Sequence, residues 1–165
     1  DIPETIFKAI KALDDLKFGF LTIHGQGGKG MVEKAKKAAE EIKCKPKIMM
    51  VTILTALNDS DLRDMGNNST VHEQVENLSK IAKETKVGVV CSGQEASLVR
   101  QIIGKDLLIF TPGIRMENDS KNDQKRICTP SESIKNGANK IIMGRSLAKG
   151  NIEENINKVS NSIKE

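Results

Sequence analysis

The feature that most constrains this chain is an alternation of short apolar runs with segments of helical periodicity. The runs are Phe18 to His24 (FGFLTIH), Pro46 to Leu57 (PKIMMVTILTAL), Val87 to Ser92 (VGVVCS), Leu107 to Thr111 (LLIFT) and Lys140 to Met143 (KIIM). Near-continuous apolar runs of this length suit strands buried on both faces. Between them, Ile6, Ile10 and Leu13 fall at helical spacing in the segment from Pro3 to Leu16, with Pro3 suited to a first turn. Gly27 to Ile42, Ser69 to Lys86, Gln94 to Ile103 and Asn151 to Lys164 read as further helices. Thr129-Pro130-Ser131-Glu132 opens another, with Thr129 as cap and Glu132 three residues on. The polar stretch from Arg115 to Asp123 has no periodicity and reads as a long surface loop. Repeated strand–helix units predict an α/β fold with a parallel sheet under helices. Two architectures remain open: a doubly wound sheet, and part of an eight-stranded barrel. A complete barrel needs about 250 residues, so five strands here make any barrel a partial one.

At 165 residues the chain is read as a single domain over 1–165, since domains commonly run to about 100 to 200 residues. No apolar run approaches the ~20 residues of a membrane span, and we expect a soluble protein. The formal charge of +4 is spread among interspersed acids and bases, and there is no Trp or Tyr to stack on bases. Nucleic acid is therefore not an expected partner. Three cysteines without a CxxC pair fit a reducing cytoplasm. Cys91 reads as a small core residue, Met49-Met50 as core filling, and His72 as exposed on a helix. His24 reads as a packing and hydrogen-bonding residue at a strand end that points to the site face. The two histidines are too far apart to suggest zinc. The opening Asp1-Ile2-Pro3 carries no methionine, so we expect residues to precede it.

Three loop segments directly follow predicted strands, where parallel α/β proteins place their sites. They are Thr111-Pro112-Gly113-Ile114-Arg115, Asn122-Asp123-Gln124-Lys125-Arg126 and Gly144-Arg145-Ser146. Taken singly, each is a turn with a solvated charge. Together they suggest an anion site, because backbone N–H groups beside a guanidinium hold phosphate well.

The runs DIPET (1–5), VTILT (51–55), VVCSGQEA (89–96), TPGIR (111–115), DQKR (123–126) and MGRS (143–146) occur in the order found in orotidine 5'-phosphate decarboxylases. The chain resembles the C-terminal part of that family. The resemblance implies a partial (β/α)8 TIM barrel that works as a homodimer, without cofactor or metal. It implies release of CO2 from orotidine 5'-phosphate to give UMP. It also implies that Arg115 and Arg145 hold the phosphate beside the backbone of Gly144, and that Gln124 reaches phosphate and base. Thr55 would lie against the pyrimidine. Asp1 and Thr5 would belong to the reacting end, with Asp1 reaching into the partner subunit's site.

The chain departs from the family pattern at its start. The family's catalytic lysine belongs to an Asp-x-Lys-x-x-Asp run whose last aspartate corresponds to Asp1, so that lysine has no counterpart here. Lys8, Lys11 and Lys17 do not replace it by position. Glu4 stands where the family has Asn, Asn122 where Gly precedes the DQ pair, and Ser146 where Pro follows GR; HGQGG (24–28) differs from the usual HASGG. Glu4 would weaken anion binding if it faced the site. The expected chain is thus a decarboxylase-derived one, either the rear part of a complete enzyme or the product of a truncated gene, with its own turnover an open question. The alternatives are a non-catalytic UMP-binding remnant and a metal-dependent phosphate-binding barrel of the same superfamily. With three strand–helix units absent, the first strand has an unpaired edge, and we expect a dimer or higher oligomer to bury it.

Overall fold

The structure, a computed structural model, describes residues 1–116 and 125–164. Helix α1 (Pro3–Lys11) leads to β1 (Phe20–His24), a 3-10 turn at Gly25–Gly27 and α2 (Gly28–Glu41). There follow β2 (Lys47–Val51), α3 (Asp59–Asp64), α4 (Val71–Thr85), β3 (Gly88–Val90), α5 (Ala96–Ile103) and β4 (Ile109–Thr111). The chain closes with α6 (Pro130–Lys135), β5 (Lys140–Ile141), α7 (Arg145–Ala148) and α8 (Ile152–Lys164). All strand pairs are parallel, in the order β1-β2-β3-β4-β5. This is the expected α/β fold, with β1 at one edge.

The strands are shorter than the apolar runs that announce them. Of Pro46 to Leu57 only Lys47–Val51 is strand, because the carbonyls of Ile53, Leu54 and Leu57 accept hydrogen bonds from Arg126 instead of a ladder partner. Side-chain caps set the starts of α3, α4 and α6. Thr129 accepts from the Glu132 N–H while Glu132 reaches back, as expected; Thr70 with Glu73 and Asn58 with Asp61 form the same reciprocal pair. The Asn58 pair starts α3, a helix that the sequence reading left unassigned. No helix among the described residues is long and apolar enough to cross a membrane.

Alternation along each strand divides the core. Ile48, Met50, Val89, Cys91 and Ile109 face the helices and pack with Ile10, Met31, Val75 and Val99. Met49, Val90 and Phe110, with Val51 and Leu108, form a second cluster on the other face, made of residues in or next to the strands. A doubly wound sheet carries helices on both faces; among the described residues this sheet does not. It also curls. Phe20 of β1 meets Phe110 of β4 edge to face, with ring centroids 4.9 Å apart, although three strand spacings of about 4.8 Å each separate those strands in a flat sheet. The sheet is therefore an arc of a (β/α)8 barrel, and the open question between the two architectures resolves to the partial barrel.

Candidate active site

Parallel strands bring their following loops to one end of the sheet. Thr55, in the loop after β2, is buried at 6% exposure, and its carbonyl accepts from the backbone N–H groups of Lys125 (3.1 Å) and Arg126 (3.2 Å). Arg115, after β4, is also 6% exposed, which corrects its assignment to a surface loop. Its place follows from a turn at Gly113, whose φ of 73° suits glycine, and from a parallel bridge between Ile114 and Cys128. In that bridge the Arg115 N–H donates to the Cys128 carbonyl (3.0 Å) and the Cys128 N–H to the Gly113 carbonyl (3.3 Å). The guanidinium donates from Nη1 to the Ile114 carbonyl at 2.8 Å.

Arg126 ties these loops together. Its Nη2 donates to the carbonyls of Ile53 and Leu54, both at 2.9 Å, and its Nε to that of Leu57 at 3.1 Å. Its Nη1 pairs with Glu95, and the two side chains are only 11% and 9% exposed. The other Glu95 oxygen accepts from the Ser92 N–H at 3.0 Å, and the Ser92 hydroxyl donates to the Arg126 carbonyl at 3.2 Å. Next door, the Lys125 ammonium bonds both oxygens of Asp61 on α3.

Asp1 lies at the other side of the arc. It lines a groove of about 610 Å³ at the end of β1 with Thr22, His24, Gln26 and Gly27. Gly27 permits this approach, since a Cβ there would lie 2.9 Å from the Asp1 carbonyl oxygen. His24 is exposed in that groove, so the packing role expected of it is corrected: at the edge of the described sheet it has a neighbouring strand, β2, on one side only. Thr5 is exposed on α1 and does not line this groove. Glu4 pairs with Lys34 of α2 at 3.6 Å, which draws its carboxylate toward α2.

Gly144 and Arg145 are exposed at the start of α7. Beside them, a groove of about 760 Å³ is lined by Met116, Met143 and Ser146, among others. The chain neighbours of Arg115 and Arg145 thus share one groove, whereas Asp1 lines a different one. Gln124 lies outside the described residues, as does most of the polar stretch up to Asp123.

All three cysteines are free. Burial, then the Glu95 charge, pushes the Cys91 thiol far above its ordinary value. Burial, then Glu132, pushes Cys128 up to about 11. Neither is a reactive thiolate at neutral pH, and Cys91 is the core residue expected. Among the described residues, no three His, Cys, Asp or Glu side chains gather as the ligands of a metal ion would.

The Arg126–Glu95 pair was not singled out from the sequence, although both residues stood in quoted motifs. The available signal was positional: each follows a strand, and a glutamate in such a loop must find a partner if it is buried.

Comparison with known proteins gives these positions a context. Residues 1–158 match the family described as "Orotidine 5'-phosphate decarboxylase / HUMPS family". The chain is 40% identical over 147 residues to "Orotidine 5'-phosphate decarboxylase" of Neisseria meningitidis serogroup A, a match covering 88% of this chain and 60% of the relative. The namesake of Buchnera aphidicola is 39% identical over 148 residues, covering 89% and 63%. The chain therefore spans about 60% of the length of these curated relatives. Among solved structures, the orotidine 5'-phosphate decarboxylase of Lactobacillus acidophilus superposes with a TM-score of 0.82 at 31% identity, covering all of this chain and 72% of that one. With the match running through nearly every strand–helix unit described above, the chain belongs to the orotidine 5'-phosphate decarboxylase / HUMPS family.

Proposed function

We propose that this chain carries the phosphate- and base-gripping part of an orotidine 5'-phosphate decarboxylase, a carboxy-lyase that makes UMP, and that it binds UMP. The observation that carries the reading is the burial of Arg115 and Thr55 in loops at the same end of the sheet, on the motifs that family membership makes significant. A buried guanidinium at a strand end, with a second arginine exposed beside a shared groove, suits a dianionic phosphate. In this reading Arg115, Arg145 and the Gly144 N–H hold the phosphate, Gln124 spans phosphate and base, and Thr55 lies against the pyrimidine. Asp1 and Thr5 belong to the reacting end, 1–165 is one domain, and the protein works as a cytoplasmic homodimer.

The chemistry explains the division of labour. Loss of CO2 from the pyrimidine leaves a carbanion on a carbon that delocalises it poorly, so the site needs fixed positive charge and a proton donor at that atom. A lysine ammonium supplies both, and the family's lysine has no counterpart in this sequence. Phosphate contacts lie far from that carbon, and their binding energy serves to position the base. The test is CO2 release from carboxyl-labelled orotidine 5'-phosphate, with and without chelator, beside a UMP titration. UMP binding is expected. Chelator-insensitive release means that a lysine completes the site, no release with UMP bound means the grip without the chemistry, chelator-sensitive release points to the metal-dependent superfamily alternative, and failure to bind UMP overturns the reading.

A further inference from the structure

We infer that Arg126, seated on the Glu95 carboxylate, is the positioning residue for the base-recognising loop after β2. This deepens the reading above and rests on its placement of Thr55 against the pyrimidine.

Residues 52–57 leave the sheet with carbonyls that no strand takes up. Arg126 satisfies three of them from its side chain, those of Ile53, Leu54 and Leu57, and a fourth, that of Thr55, from its backbone N–H. Four bonds from one residue to one six-residue loop fix the path of the backbone that carries Thr55. The planar fork makes this possible: its donors diverge at set angles, whereas a lysine ammonium is a compact point charge. Glu95 orients the fork from the loop after β3, and Ser92 closes the ring by bonding both Glu95 and Arg126. The Arg126 side chain, 11% exposed, is packed among these groups, and its hydrogen bond to Thr55 runs from backbone N–H to backbone carbonyl. Arg126 is a residue acting through another.

This arrangement separates base from phosphate. Arg126 contacts the β2 and β3 loops, while Arg115 is set by Gly113 and Cys128, and Arg145 by the chain after β5. Loosening Arg126 should therefore damage recognition of the pyrimidine and spare recognition of the phosphate. Calorimetric titration of the wild-type chain, Arg126→Lys and Glu95→Gln with UMP and with ribose 5-phosphate tests this well below each melting temperature. Arg126→Lys is expected to weaken UMP about tenfold, which is 1.4 kcal/mol, with ribose 5-phosphate unchanged. Glu95→Gln, close in shape but uncharged, gives the same pattern at smaller amplitude and decides the question if Arg126→Lys does not fold. A lowered melting temperature with both affinities intact, or equal weakening of both ligands, overturns the inference alone. A wild-type chain that binds neither ligand overturns the proposed function and this inference with it.

Discussion

Asp61 and Lys125, 64 positions apart in sequence, meet as a two-point ion pair: the ammonium lies 2.8 Å from Oδ1 and 2.7 Å from Oδ2. This contact, followed by the Asn58 N–H, holds the Asp61 carboxyl below its ordinary 3.8. A carboxyl depressed by folding adds stability above its unfolded value and loses it as pH falls through the folded one. Asp61→Asn should therefore flatten the acid limb of stability below about pH 4, as read from urea midpoints at successive pH values. Between neutral pH and pH 6 the slopes of wild type and variant should coincide. Equal slopes throughout would leave the pair without a role in acid stability.

The two arginines proposed for the phosphate differ in burial, and their variants should differ accordingly. Arg145 is exposed, so Arg145→Ala should change unfolding free energy by no more than about 0.5 kcal/mol. It should still weaken UMP at least about tenfold, since a charge-assisted hydrogen bond contributes about 1.5–3 kcal/mol. Arg115 is buried against Ile114, and Arg115→Ala should lower both affinity and stability. Denaturant titration beside calorimetry separates the cases; an Arg145→Ala chain that binds UMP normally rules that residue out.

Thiol labelling provides an independent check on the core. Cys44 is half-buried while Cys91 and Cys128 are buried, and burial raises the thiols of both buried residues. At pH 8 the native chain should expose a single fast-reacting thiol, assigned to Cys44, and all three after denaturation. Rapid labelling of Cys128 in the native state would contradict its bridge to Ile114.

The inner face of the arc bears on assembly. Phe20, 41% exposed, meets Phe110 of the cluster with Met49 and Val90, Ile142 is 44% exposed, and among the described residues β1 is an edge strand. Burial of such surface contributes roughly 25 cal/mol per Å². Light scattering at micromolar concentration should show a dimer or larger species, and Phe20→Lys should shift it toward monomer. A monomer in the wild type would contradict the proposed homodimer.

Much of the fold was legible because apolar runs and caps are local signals. All five strands were found in order, and Thr129 with Glu132 caps α6 as read from TPSE. Strand ends were overextended where a distant residue captured the backbone: nothing within PKIMMVTILTAL shows that Arg126 takes the last carbonyls. Helix α3 was missed because its cap is Asn58 with Asp61, a variant of the usual Ser/Thr and Glu pair. Periodicity did not separate a doubly wound sheet from a barrel, since both bury parallel strands; curvature appears only when Phe20 reaches Phe110. Candidate site residues came from ordered motifs, and the groove that Asp1 shares with His24 depends on a close approach at Gly27 that sequence spacing does not reveal.

The bonds that Arg126 makes at the loop end of the sheet have a counterpart at the opposite end. There Arg100 of α5 donates to the carbonyls of Gly104, Leu107 and Gly137 and to the Asn139 side chain, which in turn accepts from the Ile109 N–H. The Arg126 bonds thereby stitch the ends of β2 and β3, and the Arg100 bonds stitch the segments that lead into β4 and β5, while β1 has no comparable seam among the described residues. The arc should come apart like cloth fraying from its β1 margin, with amide protons of the central strand β3 the last to exchange.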